Sequence, residues 1–570
     1  MSGNGSAPRP TILIASPAPA RREDLAEALR SRYGARYRVR TVAGLAEALS
    51  LTAETADGTG PALVIAEESL TDAHGAELLD AVAALSPATK GLLLTDRETG
   101  TAVRSLALPA SSDLWADGLL PLVDELLLEW KLSRRRGPSG AVTVIGSPFS
   151  AGAYRVRDFL ARNAVPFSTE DAPEDEPVVT VLPDGRRLTD PGLSRLALEL
   201  GLTRPASRTA YDLVVVGGGP AGLAGAVYGA CENLSVLLVE DDAPGGQAGS
   251  TSRIENYLGF PAGLTGSELA QRALTQARRM GVEWVSTRIA TRLEPVPGGH
   301  LVHLDDGSRI SGRAVLVTTG MQWRTLPVPG VERLTGAGIY FGSCLSEAKA
   351  SAGQHVYMVG AGNSAGQAAL HFAEHADSVT LLVREASARP QAMSAYLLDR
   401  IEADDRVELR CGTEVVEALG DTRLTGLRLR DNRTGEVEEV PAALLHVLIG
   451  SVPASAWLAD VCARDSGGFL LTGPDVRQAA REDAGRLPLP WAEQRDPYLM
   501  ETSLPGVFAA GDVRSGSVKR VGSAVGEGAV ALQAALTHLR TTAPATTVDA
   551  TDTVPASRAA GPQGAPTPAG

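Results

Sequence analysis

The chain has 570 residues, 44% hydrophobic but only 4% aromatic, and its 53 basic against 67 acidic side chains leave a formal net charge of −14. That length predicts three or four domains, and the acidic balance argues against non-specific binding to nucleic acid or to an anionic membrane. No apolar run is long enough to span a bilayer, Met1 to Pro10 lacks the apolar stretch of an export signal, and four scattered cysteines fit a reducing cytoplasm.

After a disordered tail at 1–10, strands and helices alternate: strand Thr11 to Ile14, helix Arg22 to Arg32, strand Arg38 to Val42, helix Leu45 to Ala53, strand Ala62 to Ala66, helix Gly75 to Leu85, and strand Gly91 to Thr95. A short fifth strand near Leu106 and a helix from Leu119 to Lys131 complete a doubly wound unit over 11–132. Its order resembles the receiver domains of response regulators. That resemblance implies an acidic pair after the first strand, a phosphoacceptor aspartate after the third and a lysine after the fifth. Here Ala15-Ser16-Pro17 and Glu67 replace the acids, Thr95 is retained, and no lysine falls around Leu106 to Leu114. Without carboxylates for Mg²⁺, phosphoryl transfer has little to stabilise it, so a degenerate docking or dimerisation module is expected.

A basic, turn-rich linker at 133–140 leads to a smaller unit at 141–205: strand Ala141 to Ile145, helix Ala151 to Asn163, a Val165-Pro166-Phe167 strand, then Glu176 to Val179 and the turn Leu182 to Arg186. This order resembles a truncated glutaredoxin or thioredoxin. The loop before its helix reads Ser147-Pro148-Phe149-Ser150, where that resemblance implies Cys-Pro-Phe-Cys, so a serine cap rather than a reactive thiolate is expected at the helix N-terminus.

Two glycine-rich fingerprints follow. Gly217-Gly218-Gly219-Pro220-Ala221-Gly222 comes after the apolar strand Tyr211 to Val216 and opens a small-residue helix to Cys231; the next strand, Ser235 to Glu240, ends in an acid placed to accept ribose hydroxyls. Gly360-Ala361-Gly362-Asn363-Ser364-Ala365 comes after Val356 to Val359, and its following strand, Val379 to Val383, ends in Arg384. An arginine there, with Arg389 nearby, favours a 2′-phosphate and so NADPH over NADH. Two interleaved Rossmann-type domains in an α/β chain are expected, one over 209–327 and 446–540 and the other over 328–445. A tail from 541 to 570, rich in Ala, Pro, Thr and Gly, reads as disordered.

With Gly245-Gly246-Gln247, Glu255-Asn256-Tyr257, Thr318-Thr319-Gly320, Ile449-Gly450 and Gly506 to Val513, the region from Tyr211 to Leu539 resembles the low-molecular-weight thioredoxin reductases. These are two-dinucleotide flavoproteins of the pyridine nucleotide-disulfide oxidoreductase class. The resemblance implies FAD on Gly217, Gly219, Pro220, Ala221, Gly222 and Glu240, with Gly246, Gln247 and Asn256 near the flavin. Thr319, Gly320, Gly511, Asp512, Arg520 and Val521 complete that set, Asp512 towards the ribityl chain, and a helix from about Val525 closes it. NADPH falls to Gly360, Gly362, Asn363, Ser364, Ala365, Arg384 and Arg389. No metal is expected, and a homodimer is.

The resemblance breaks at the redox centre. The C-x-x-C pair of thioredoxin reductases falls at Gly342 and Leu345, and only Cys344 lies nearby. Storing two electrons as thiols needs a pair. The expected activity is therefore hydride transfer from NADPH to FAD, then to dioxygen, a quinone or other small molecule, or an electron-transfer protein. Two alternatives stand: a thioredoxin reductase pairing Cys344 with a distant thiol, and a flavin redox sensor or scaffold. The segment Arg477 to Tyr498 reads as an insertion, either a lid or a partner-docking loop.

Overall fold

The computed structural model describes residues 9–53, 60–86, 89–95, 105–107, 119–120, 122–124, 126–127, 130, 142–147, 150–173, 176–251, 254–260, 263–342, 351–386, 393–482, 487–491 and 493–542. Cys344 and Arg389, the 133–140 linker and the tail from 543 onward lie outside them. Among the described residues no helix is long and apolar enough to cross a membrane.

The N-terminal unit is a five-stranded parallel sheet in the order Arg38–Val42, Thr11–Ala15, Leu63–Glu67, Lys90–Thr95, Ser105–Ala107. Its three central strands, Thr11–Ala15, Leu63–Glu67 and Lys90–Thr95, bury apolar side chains at successive positions because both faces are covered. Ile12, Ile14, Ile65 and Leu92 face the helix Pro19–Tyr33 and the helical residues from 119 onward, whereas Leu13, Ala15, Val64 and Leu93 face the helix Gly75–Leu85.

The second unit is a four-stranded sheet in the order Phe167–Glu170, Val142–Ile145, Val179–Val181, Arg187–Thr189, the first pair parallel and the others antiparallel. Helices Ala151–Arg162 and Leu193–Glu199 accompany it. Ser150 caps the first of these, its hydroxyl accepting from the Ala153 amide at 3.4 Å. The strand expected at 165–167 starts at Phe167 instead. Ala164 takes a left-handed turn (φ 53°) and the Val165 amide bonds back to Leu160 O, so 163–165 belong to the helix terminus.

In the core, the first large sheet runs Glu283–Val285, Val236–Val239, Ala210–Val216, Arg309–Val317, Gly299–Leu304, Ala290–Val296. The Arg309–Val317 strand is shared: its first half pairs antiparallel with Gly299–Leu304, and Val315 to Val317 pair parallel with Val507–Ala509. The chain therefore leaves this domain and returns to it. The second sheet, Ile339–Phe341, Leu444–Val447, His355–Val359, Ser378–Val383, Val407–Cys411, is wholly parallel, with a small antiparallel sheet (Thr413–Leu419, Gly426–Asp431, Val437–Pro441) beside it. Met321–Trp323 and Ser451–Pro453, paired antiparallel, are the two passages between the domains.

The C-terminal helix starts at Val521, four residues before the expected Val525. Gly522, Gly526 and Gly528 disguise its first turns in the sequence. Gly528 is needed for packing: a Cβ there would stand 2.2 Å from Ala221 O on the helix Pro220–Cys231. The described parts of the segment 477–498 are anchored to the fold. Its start lies in the helix Pro474–Glu482, and Arg495 grips the fully buried Glu501 with both terminal nitrogens, at 2.6 and 2.8 Å, between the rings of Trp491 and Tyr498.

Candidate dinucleotide sites

The residues of the first fingerprint gather at the C-terminal ends of the parallel strands, where Gly217 and Gly222 are required by the protein itself. Gly217 (φ 108°) carries no Cβ because one would lie 2.4 Å from Thr318 O, and a Cβ on Gly222 would lie 1.9 Å from Gly217 O. Gly219 differs. It precedes Pro220 at the helix N-terminus with ordinary φ −71°, and among the described residues other than its chain neighbours no atom lies within 4 Å of where its Cβ would stand. The bare backbone therefore leaves room for a ligand at the positive end of the helix, the arrangement that suits a pyrophosphate.

Around this opening stand the other expected residues. Glu240 is buried, with Gly218 N donating to one carboxylate oxygen and Asp242 N to the other at 3.1 Å. Burial, then the neighbouring Asp241, push its carboxyl well above the usual range. Gly245 N bonds to Gly218 O at 2.8 Å, a Cβ on Gly246 would stand 3.4 Å from Gly219 Cα, and Gln247 Nε2 donates to Met321 O at 2.8 Å. Thr319 Oγ1 donates to Ala454 O at 2.7 Å, and Gly320 turns at φ 63°. Gly511 bonds through its amide to Glu527, which Arg514 also holds.

Asp512 is half-buried. Burial raises its carboxyl, Lys519 opposes that shift and Glu527 adds to it, while Lys519 Nζ donates to Asp512 O at 2.7 Å. Arg520 precedes the final helix and Val521 begins it, and exposed Asn256 precedes Tyr257, whose ring reaches 4.0 Å from where a Gly522 Cβ would stand. One loop cluster thus collects the first set.

The second fingerprint repeats the device. Gly360 (φ 156°) passes within 2.6 Å, measured from a notional Cβ, of Leu448 O, and Gly362 precedes the helix Asn363–Ala373. Asn363 Oδ1 accepts from Ser394 N at 2.8 Å, Ser364 is exposed, and Ala365 is buried against Gly360. Arg384 ends the neighbouring strand with its side chain 72% exposed, its guanidinium 3.3 Å from Glu385 and its carbonyl held by Asn432.

Residues 211–528 match the family model described as pyridine nucleotide-disulphide oxidoreductase. The chain belongs to that family. A thioredoxin reductase of Mycolicibacterium smegmatis is 32% identical over 332 residues, 57% of this chain and 95% of the relative. That of Listeria monocytogenes is 29% identical over 325 residues (57% and 92%), and an alkyl hydroperoxide reductase protein of Pseudomonas putida is 32% identical over 344 (60% and 60%). This pyridine nucleotide-disulphide oxidoreductase is a thioredoxin-reductase-like flavoprotein enzyme, of a family that uses FAD and NADPH.

Gly342, where the sequence comparison expects the first cysteine of a dithiol, lies in the left-handed region (φ 81°), and a Cβ there would meet the Trp323 indole at 2.8 Å. Among the described cysteines, Cys231, Cys411 and Cys462 form no disulfide. Burial pushes the Cys462 thiol up to about 12, which suppresses the reactive thiolate.

Sequence reading missed three features. The indole beneath Gly342 and the Arg495–Glu501 anchor leave no local signal. The third, His371, Glu374 and His375 at the end of the helix Asn363–Ala373, was open to detection, since His-x-x-Glu-His is a metal-ligand spacing.

Proposed function

We propose that the oxidoreductase binds FAD at the first fingerprint and NADPH at the second, and that its electrons leave the flavin for an acceptor other than an internal disulfide. The chemistry supplied by the bound pair is hydride transfer from reduced nicotinamide to flavin, followed by discharge to dioxygen, a quinone or an electron-transfer protein. The chain's own contribution is to seat the pyrophosphates at two helix N-termini, hold the adenosine ribose at Glu240, and offer Arg384 to a 2′-phosphate. The observation that carries the reading is Gly342, whose left-handed backbone (φ 81°) disfavours any side chain and where a Cβ would press on the Trp323 indole at 2.8 Å, a poor seat for the first cysteine of a dithiol.

The N-terminal units fit the same reading. The strand order of the first supports a receiver-like module, and Glu67, where a phosphoacceptor would stand, is paired with Arg21 at 2.9 Å. A carboxylate already neutralised by a guanidinium is a fixed feature rather than a phosphorylation site. The mixed sheet of the second supports a thioredoxin-like module without its thiols, used as a brace.

Anaerobic mixing with NADPH tests the proposal. The yellow protein should bleach faster than with NADH, then recover its colour on addition of air, quinone or ferredoxin but not oxidised thioredoxin. Recovery with thioredoxin alone would reinstate the dithiol reading, and bleaching that no acceptor reverses would favour a sensor.

A further inference from the structure

His371, Glu374 and His375 stand at the end of the helix Asn363–Ala373 opposite Gly362, about 16 Å along the axis at 1.5 Å per residue. Neither dinucleotide site uses them. Side chains three and four apart share a helix face, and here one ligand atom from each lies within 4.8 Å of the others. His371 Nδ1 is 3.5 Å from a Glu374 carboxylate oxygen, and the two imidazoles sit 5.3 Å apart, nearly perpendicular. The backbone keeps this set together. Glu374 N bonds to His371 O at 3.2 Å and His375 N to Phe372 O at 2.9 Å, so the chain stays wound through the third ligand.

We propose that these residues form a binding site for a divalent transition ion of the zinc type. Two imidazole nitrogens and one carboxylate oxygen are donors that such ions accept readily, whereas Mg²⁺ and Ca²⁺ take oxygen. Around an ion with bonds of about 2.0–2.2 Å, tetrahedral donors lie roughly 3.4 Å apart, so small side-chain rotations close the observed spacing. The negative end of the helix dipole points at the same place. Arg406 opposes a cation, since its charge is felt by Glu374, but its guanidinium is held by Asp404 through two bonds of 3.1 Å. With the side chains of His371 and Glu374 34% and 61% exposed, the remaining coordination falls to water. The ion clips the helix terminus to the turn that enters the strand Ser378–Val383, and so stiffens the unit that carries Arg384 without touching the reacting atoms.

The test uses full-length, flavin-loaded protein without a polyhistidine tag, stripped of metal by a chelator and dialysed. Co²⁺ is titrated by its visible absorption and Zn²⁺ by competition against it. One equivalent should bind, and Zn²⁺ should raise the melting temperature. His371→Gln and His375→Gln should each weaken Zn²⁺ binding about tenfold or more, a loss at least as large as that from removing a partner of a metal ligand. Flavin content and NADPH turnover should stay unchanged in both variants, which shows that they fold. Absence of saturable uptake, or an affinity indifferent to both substitutions, would overturn the site.

Discussion

The ring of Tyr154 lies 5.0 Å from that of Tyr340, and two turns along the same helix Arg162 pairs with Asp242. One helix of the second unit thus touches both domains of the oxidoreductase core: Tyr340 leads into Gly342, and Asp242 follows Glu240. Burial opposes the Arg162 charge, but Asp242, Asp158, Glu240 and Asp241 together hold its pKa above the ordinary value. A brace across both domains opposes rotation of one domain against the other. Solution scattering should therefore be the same for oxidised and NADPH-reduced protein. Arg162→Ala should weaken the brace by about 1–2 kcal/mol, seen as roughly tenfold faster hydrogen exchange in the helix 151–162.

Gly219 and Gly222 should respond oppositely to alanine. Gly219→Ala meets open space and an ordinary φ, so the fold should persist while FAD is lost on gel filtration. Gly222→Ala drives a methyl into Gly217 O and should yield little folded protein. Retention of FAD by Gly219→Ala would show that the pyrophosphate lies elsewhere.

Gly342→Ala should lower stability by about 1–3 kcal/mol, because a side chain must adopt φ 81° and press on Trp323. Adding Trp323→Ala removes the contact but not the backbone strain, so the double variant should lose less than the sum of the two singles. Thermal melts of the four proteins measure this. A Gly342→Ala melt equal to wild type would refute the steric argument.

Much of this was legible in the chain because each signal is local. Apolar runs separated by turn residues give the parallel strands, and a glycine turn after a strand marks a helix start, as after Gly217 and Gly360. The positions of Glu240 and Arg384 just past their strands could be read because a strand end lies at a fixed distance from the glycines. What was hidden is set by tertiary contact. Arg162 and Asp242 are 80 residues apart, and Trp323 reaches Gly342 from another passage of the chain. The helix beginning at Val521 was masked because its glycines, adverse to an isolated helix, permit close approach to Ala221.

Acid should destabilise the protein through two buried histidines. Burial lowers His300 and His446 to about 4 from an ordinary 6.5, and neither ring nitrogen of His446 has a hydrogen-bond partner among the described residues. Between those values the unfolded chain binds more protons, so stability rises with pH. It is complete above about 6.5 and lost as pH falls towards 4, by about 3 kcal/mol for each histidine. The urea midpoint should drop between pH 7 and pH 5. His446→Phe, which keeps the ring between Tyr340 and Phe372, should flatten that dependence.

The most direct measurement is NADPH turnover by Cys344→Ser protein with the acceptor that reoxidises the wild type. Electrons that bypass disulfides predict a rate within about twofold of wild type, a difference in barrier of less than half a kcal/mol. Abolished turnover with the flavin still bound and still bleached by NADPH would contradict the account and place Cys344 on the electron path.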